Sequence, residues 1–517
     1  MTRTRVRALL AVCAAASAGC GLLFDFGDYD GARPDLSSEG GVTVDGAPVP
    51  PRSFVLSVEP TSIKGTSGDR VPVVVRVTRG ELFSEEVALS IAPGQDVVVE
   101  APVIASSARE ANAIVIPGNT HGVRNITIVG TSPLGVTSST SLRVDVRGRP
   151  GSLDTSFANG GVLEQADILQ GVDVVTVEDD RIVVGTNLAG GGITRDALTL
   201  ARFTEGGALD PTFGTGGRAQ VVPANGGNGD GTQCVARGPA PGSVLVAGTS
   251  GTKRFLLLGA ADDKGKPITS FGEDSTGVVS LGQANCRSLS ALPGGAIVIA
   301  ASTFLQRRTS NGASDPAWGD AGEIPFTGIG EELWGALADD AGAMRAYGTF
   351  TSWPIGADGT RGAARPHAPK TTGGCTKGAR PAHANDGLAV VGGTCGGLIA
   401  GGGEDKPVLG LLADGVPSEK FGESGFAVGP GSGYTAAVVG LPGGVVRVSG
   451  TSKPDRLGVT MYDATAGVRW LFDGATVPSL ADARASAATV DSKGRVVVVG
   501  AREVGGTTRL FLIRLWT

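Results

Sequence analysis

Few side chains in this 517-residue chain are placed to do chemistry. Histidine occurs three times, at His121, His367 and His383. Ser/His/Asp chemistry in the C-terminal two-thirds therefore rests on His367 or His383. His383 falls in an apolar run that reads as an inner strand, where it would line a channel. His367 sits in Arg365-Pro366-His367-Ala368-Pro369, which reads as a solvated loop. The pairs Asp179-Asp180 and Asp339-Asp340 put carboxylates side by side, but sequence neighbours at a turn point apart, which argues against general acid–base work. The run 225–231 carries oxygen ligands for Ca²⁺ but one carboxylate, Asp230, so a flexible loop is the better reading. The glycine strings 190–192 and 401–403 open no helix and make no phosphate cradle. No catalytic residue, metal or cofactor is assigned.

The N-terminus has a chemistry of its own. Arg3, Arg5 and Arg7 precede a short apolar stretch, 8–16, that is too short to span a membrane. Ser17-Ala18-Gly19-Cys20 follows and resembles a bacterial lipobox, with Ser17 where Leu is usual. The resemblance implies that Cys20 is lipidated and becomes the new N-terminus, leaving the protein exported and anchored to a membrane. The alternative is an ordinary secretory peptide cut near Ala18. Residues 21–51 are rich in Asp, Gly, Ser and Pro and read as a flexible tether.

Export frames the remaining cysteines. Cys234, Cys286, Cys375 and Cys395 are an even set, which favours disulfides. Cys375 and Cys395 lie at similar distances on either side of the turn at Asp386 and are expected to face each other across one hairpin. Cys234 and Cys286 each precede their own turns by similar distances in adjacent repeats. The expected pairs are Cys375–Cys395 and Cys234–Cys286. A metal site is the rival, without CxxC spacing or a nearby His to support it.

The elements that position these residues come from a repeat. Gly207-Ala208-Leu209-Asp210-Pro211-Thr212-Phe213-Gly214-Thr215-Gly216-Gly217 is nearly duplicated from Gly151 to Gly161 around Phe157. Weaker copies surround Phe271, Trp318 and Phe421, and a worn one surrounds Phe472. The rings are spaced by roughly 47 to 58 residues, with one gap of about twice that, a period belonging to propellers and solenoids. Each copy is followed by two Val/Ile-rich runs around a tight turn, giving seven hairpins. A third strand follows most of them, and the ring motif leads into a fourth. Four strands in each of seven repeats predict a seven-bladed β-propeller over 150–517. The chain ends after a third strand, and 161–165 offers an unpaired fourth strand, so pairing the two would close the ring. Leu209, Asp210 and Phe213 read as structural, a plug between blades and a turn-capping carboxylate.

These strings resemble the delta-60 repeat, a bacterial β-propeller family of largely unassigned function. The resemblance covers about residues 150–517 and implies a fold and an extracytoplasmic setting, with no catalytic residues to transfer. Between 52 and 149, seven alternating strand-like runs predict an Ig-like β-sandwich, similar to bacterial spacer domains. The expected fold is thus all-β: signal peptide 1–19, lipidated Cys20 and tether 20–51, sandwich 52–149, and propeller 150–517.

Net charge is −6, with no basic stripe and no interleaved aromatic platform, which excludes nucleic acid as a partner. Trp334 and Trp353 flank the least regular repeat. They and His383, with the loops 221–233 and 355–378, are the candidate binding face. The expected function is a lipid-anchored, non-catalytic binding or scaffolding module of the bacterial cell envelope, probed against envelope protein or polysaccharide. The alternative is an exported glycan hydrolase or lyase with its site on the propeller axis.

Overall fold

A computed structural model describes residues 43–44, 47–48, 52–100, 103–188, 197–222, 231–251, 253–273, 277–327, 331–339, 342–367, 375–384, 387–395, 406–429, 433–452 and 455–517. The signal peptide, Cys20, most of the tether, the run 223–230 and both glycine strings lie outside the described residues. The chain divides into two compact units. The first runs to Ile63 and adds Val71–Val115 and Asn125–Arg143; the second holds Val144–Thr517 with Lys64–Arg70 and Ile116–Arg124.

Among the described residues, eight strands between 54 and 147 form two four-stranded sheets. One is ordered Phe54–Glu59, Val71–Arg79, Glu110–Pro117, Val97–Glu100. The other is ordered Ser62–Thr66, Thr137–Arg147, Gly122–Thr131, Ala88–Ile91. Period-2 alternation buries one face of each: Phe54, Leu56 and Val58 point inward while Ser57 and Glu59 face water. Ser62–Thr66 is a strand the sequence pattern does not announce, because Ile63 is its single buried residue.

From residue 162 onward the described residues form seven consecutive small sheets. Their first strands are Ile168–Thr176, Gly231–Arg237, Cys286–Ala291, Leu333–Ala338, Cys375–His383, Tyr434–Leu441 and Ala483–Val490. In the first six sheets the later strands add outward in chain order. Phe304–Arg308 and Thr351–Ile355 supply third strands where the sequence marks none. The seventh sheet is completed from the other end of the repeat region: Val162–Gln165 pairs antiparallel with Thr507–Leu515, Val162 opposite Ile513. Each first strand packs against the next, and the seventh packs against the first. This is β-propeller topology, and the shared sheet leaves the ring without a free edge there.

The repeat motif locks neighbouring sheets together. Phe157, Phe213, Phe271, Trp318 and Phe421 are all buried. The residue after each ring donates its N–H to the carbonyl just before the next repeat's positive-φ turn residue, which is glycine except at Ala466. Ala158 reaches Gly206 O at 2.8 Å, Gly272 reaches Asn311 O at 2.7 Å and Gly319 reaches Asp358 O at 2.8 Å. A Cβ at Gly312 would lie 2.6 Å from the Phe271 ring, and φ there is +84°, so glycine is required twice over. The fourth sheet lacks its own ring but keeps the receiving turn, with Gly359 against Trp318. In the worn copy, the ring that meets Gly151 is Trp470, not Phe472. Phe472 instead lies in the core between the last two sheets.

Candidate functional site

All seven first strands line one cavity of about 490 Å³. They do so through a shared irregularity. Each has a register shift that leaves a residue unpaired with the second strand. In six sheets these residues are Val172, Gln233, Arg287, Trp334, Ala436 and Ser486; in the fifth, the shift between Ala379 and Ala382 frees Arg380 and Pro381. Every one of them lines the cavity. A β-bulge re-aims side chains, and here it turns them toward the axis. Among the bulge residues of the second to fifth sheets, Gln233, Arg287, Trp334 and Arg380 are large and polar or aromatic, with Pro381 beside Arg380, whereas those of the sixth, seventh and first are Ala, Ser and Val. The cavity wall is therefore a polar crescent facing a smooth one.

Arg380 ties the crescent together. Its Nη1 donates to Asp173 Oδ2 at 2.7 Å, its Nε to Arg287 O at 2.9 Å, and its Nη2 to Cys234 Sγ at 3.4 Å. One guanidinium thus spans from the fifth sheet to the first, second and third. Asp173 is buried and also accepts from Val174 N at 2.9 Å and Val235 N at 2.7 Å. Arg287 stacks on Trp334, its Cζ 4.3 Å from the ring centroid, and pairs with the exposed Glu332 at 2.5 Å. Trp334 Nε1 donates to Thr349 Oγ1 at 3.0 Å. Gln233 accepts from Cys286 N at 2.7 Å and donates to Asn285 Oδ1 at 3.2 Å.

The expected residues separate on the structure. Trp334 is at the cavity. Trp353 is in the core, packed edge-on against Phe326 at 5.2 Å, and presents no binding face. His383 ends the fifth first strand as expected, but its side chain is exposed and does not line the cavity. His367 is not in a solvated loop. Its ring is buried, 6.4 Å from that of Tyr347, and neither ring nitrogen has a partner among the described residues. Burial pushes its pKa down to about 4, with the Arg345 charge a smaller contribution in the same direction. Cys234 and Cys286 form a disulfide between the second and third first strands. Cys375 and Cys395 are direct backbone partners across one hairpin, while their side chains lie outside what is described.

Arg287, Arg380 and Asp173 were not singled out by sequence reasoning, and Gln233 entered it only as the last residue of the run 221–233. The available signal was a polar residue inside an apolar inner strand, as in Val172-Asp173-Val174-Val175, and the bulges that aim such residues leave no mark in composition.

No protein-family model matches the chain, and no curated protein matches it. Among solved structures, the WD40 domain of Neurospora crassa Pan2 is similar at 11% identity and TM-score 0.38, covering 66% of this chain and 89% of that one. A quinonprotein alcohol dehydrogenase-like protein from Bacteroides thetaiotaomicron is similar at 9% identity and TM-score 0.35, covering 81% and 96%. An α-L-arabinofuranosidase from Fusarium graminearum is similar at 10% identity and TM-score 0.32, covering 67% and 93%.

Proposed function

We propose that this protein is a lipid-anchored binding module of the bacterial cell envelope, in which an Ig-like sandwich precedes a seven-bladed propeller of delta-60-like repeats. The axial cavity is its binding site, and its ligand is an envelope polysaccharide or protein. The observation that carries this reading is the polar crescent: bulged residues from four consecutive sheets, Gln233, Arg287, Trp334 and Arg380, converge on one cavity while the opposite wall stays small. Concave sites with a few convergent polar groups and an aromatic surface are where ligands bind. Arg3, Arg5, Arg7, the apolar run 8–16 and Ser17-Ala18-Gly19-Cys20 support export and acylation at Cys20.

Binding is preferred over hydrolysis because glycoside cleavage needs two opposed carboxylates. Asp173 is the carboxylate in the described cavity lining, and it is committed to Val174, Val235 and Arg380. The test is calorimetric titration of the mature protein with purified envelope polysaccharide. Arg287→Ala and Trp334→Ala should each weaken binding about tenfold, roughly 1.4 kcal/mol, without moving the unfolding midpoint. Unaltered binding in both would overturn the assignment of the site. Mass analysis of the N-terminal peptide tests the anchor, since an unmodified Cys20 would remove it.

A further inference from the structure

One position in the ring breaks a rule that the repeats otherwise keep. In each sheet, one second-strand residue pairs two places before the end of the third strand. It is Val184, Val246, Ile299, Ala346, Val390 and Val498 in six sheets, and Arg447 in the remaining one. An aliphatic side chain is what this layer holds, yet the sixth sheet buries a guanidinium there, 1% exposed.

The neighbours of Arg447 are also unusual. Thr460 is its direct cross-strand partner, and Tyr462 follows two residues on. The guanidinium carbon lies 5.4 Å from the Tyr462 ring centroid. Tyr462 itself packs with Leu409, Leu411 and Phe421 of the fifth sheet. Arg447 Nε, Thr460 Oγ1 and Tyr462 Oη are all buried and have no partner of hydrogen-bond geometry among the described residues. Arg447 Nη1 donates to Pro407 O at 3.5 Å. Among the described residues no carboxylate pairs with Arg447. Burial draws its pKa down, with the Tyr462 side chain opposing.

A buried cation without a counter-charge is strongly unfavourable, and so is a buried hydroxyl without a partner. Arg447 Nε, Thr460 Oγ1 and Tyr462 Oη share a property: each can donate a hydrogen bond, and none has an acceptor of good geometry among the described residues. We propose that Arg447, Thr460 and Tyr462 form a cradle for a small inorganic anion of the halide class, held between the fifth and sixth sheets. A halide accepts from all three donors, neutralises the guanidinium and, having no proton to donate, needs no acceptor from the protein. This site is separate from the axial cavity and independent of what binds there.

The experiment is thermal unfolding of the mature protein at constant ionic strength as chloride replaces methanesulfonate. Wild type should gain about 2 °C for each tenfold rise in chloride above its Kd. Arg447→Val, which restores the residue type of the other sheets, should melt independently of chloride. Tyr462→Phe, which keeps the ring, should shift the response to higher chloride, so the idea stays testable if Arg447→Val does not fold. Crystals soaked in bromide should show an anomalous peak within hydrogen-bond distance of Arg447. Chloride-independent melting of wild type without a bromide peak would overturn the proposal. So would a chloride response that survives in Arg447→Val or is unchanged in Tyr462→Phe.

Discussion

Asp154 and Arg514 stand 360 residues apart in sequence, and Asp154 Oδ2 accepts a hydrogen bond from Arg514 Nε at 2.8 Å. The two join the start of the repeat region to its last strand. Oδ2 also takes Arg495 Nη1 at 3.0 Å, and Oδ1 takes Ser156 N at 3.1 Å and Ser156 Oγ at 2.6 Å. Arg514 continues to Glu205 O in the first sheet at 2.6 Å and lies over the Phe157 ring at 4.7 Å. Burial alone would raise the Asp154 pKa. Hydrogen bonding to Ser156 and the Arg514 and Arg495 charges outweigh it, so the carboxyl sits below the usual range. Asp154→Asn leaves two buried guanidiniums without this counter-charge and should cost about 3–5 kcal/mol in urea unfolding. A folded-state pKa below the unfolded one gives stability that is present above the unfolded value. It is lost as pH falls through the folded value. Wild type should therefore lose this contribution below about pH 4, and Asp154→Asn should not.

The same pair recurs and disappears as a unit. Arg202 Nε meets Asp210 Oδ2 at 2.8 Å, and Arg307 Nε meets Asp315 Oδ2 at 3.1 Å. The backbone bond that registers each pair, Asp210 N to Arg202 O for example, also joins Ile268 to Ala260, Gly362 to Pro354 and Ser418 to Leu411. Where the guanidinium is gone, the carboxylate is gone too. Asp210→Ile alone should destabilise by about 3–5 kcal/mol, because it strands a buried Arg202. Adding Arg202→Ala reproduces the second sheet's solution and should recover more than half of that loss. A double-mutant cycle measures the recovery, and simple additivity of the two substitutions would refute the coupling.

These pairs also mark how far the sequence could be read. The repeat string, the hairpins and the strand that closes the ring were legible because period and turn chemistry are local properties. Asp210 was legible as a turn cap, since Thr212 N lies two residues on, at 3.0 Å from Oδ1. Its second oxygen was not, because Arg202 precedes the motif and nothing in the string points back to it. The axial site was less legible still. Trp334 and Trp353 were singled out together because they flank the least regular repeat, yet only Trp334 lines the cavity while Trp353 lies in the core, and Arg380 was missed because its partners lie in three other sheets. His367 was misread because two prolines suggested a loop in water, when the segment is packed against Tyr347.

His367 should make stability depend on pH in a window where carboxylates are silent. Its pKa is about 4 in the fold, lowered from 6.5 chiefly by burial. The unfolded chain therefore binds a proton that the folded chain refuses between those values. Stability is full above about pH 6.5 and falls as pH drops toward about 4. Between pH 7 and pH 5 the loss should be about 2 kcal/mol. His367→Leu should flatten the urea midpoint across that interval, and an unchanged slope would exclude His367 as its source.

The cysteines give the last test, and it reaches the candidate site. Cys234–Cys286 closes a loop with a sequence separation of 52 and joins the second and third first strands beside the cavity. Loop-closure entropy for that length predicts about 4 kcal/mol of stabilisation. The register that sets Cys375 opposite Cys395 predicts a second bond within one hairpin. Peptide mapping without reductant should recover both pairs, and a free Cys375 would exclude the second. Cys234→Ser with Cys286→Ser should do more than lower the unfolding midpoint. Arg380 contacts Cys234 Sγ while holding Asp173 and the Arg287 backbone, so loosening that strand frees the guanidinium spanning the crescent. Ligand affinity should fall even under conditions where the variant remains folded. Full affinity in a folded variant would show that Arg380 holds the cavity without help from the bridge.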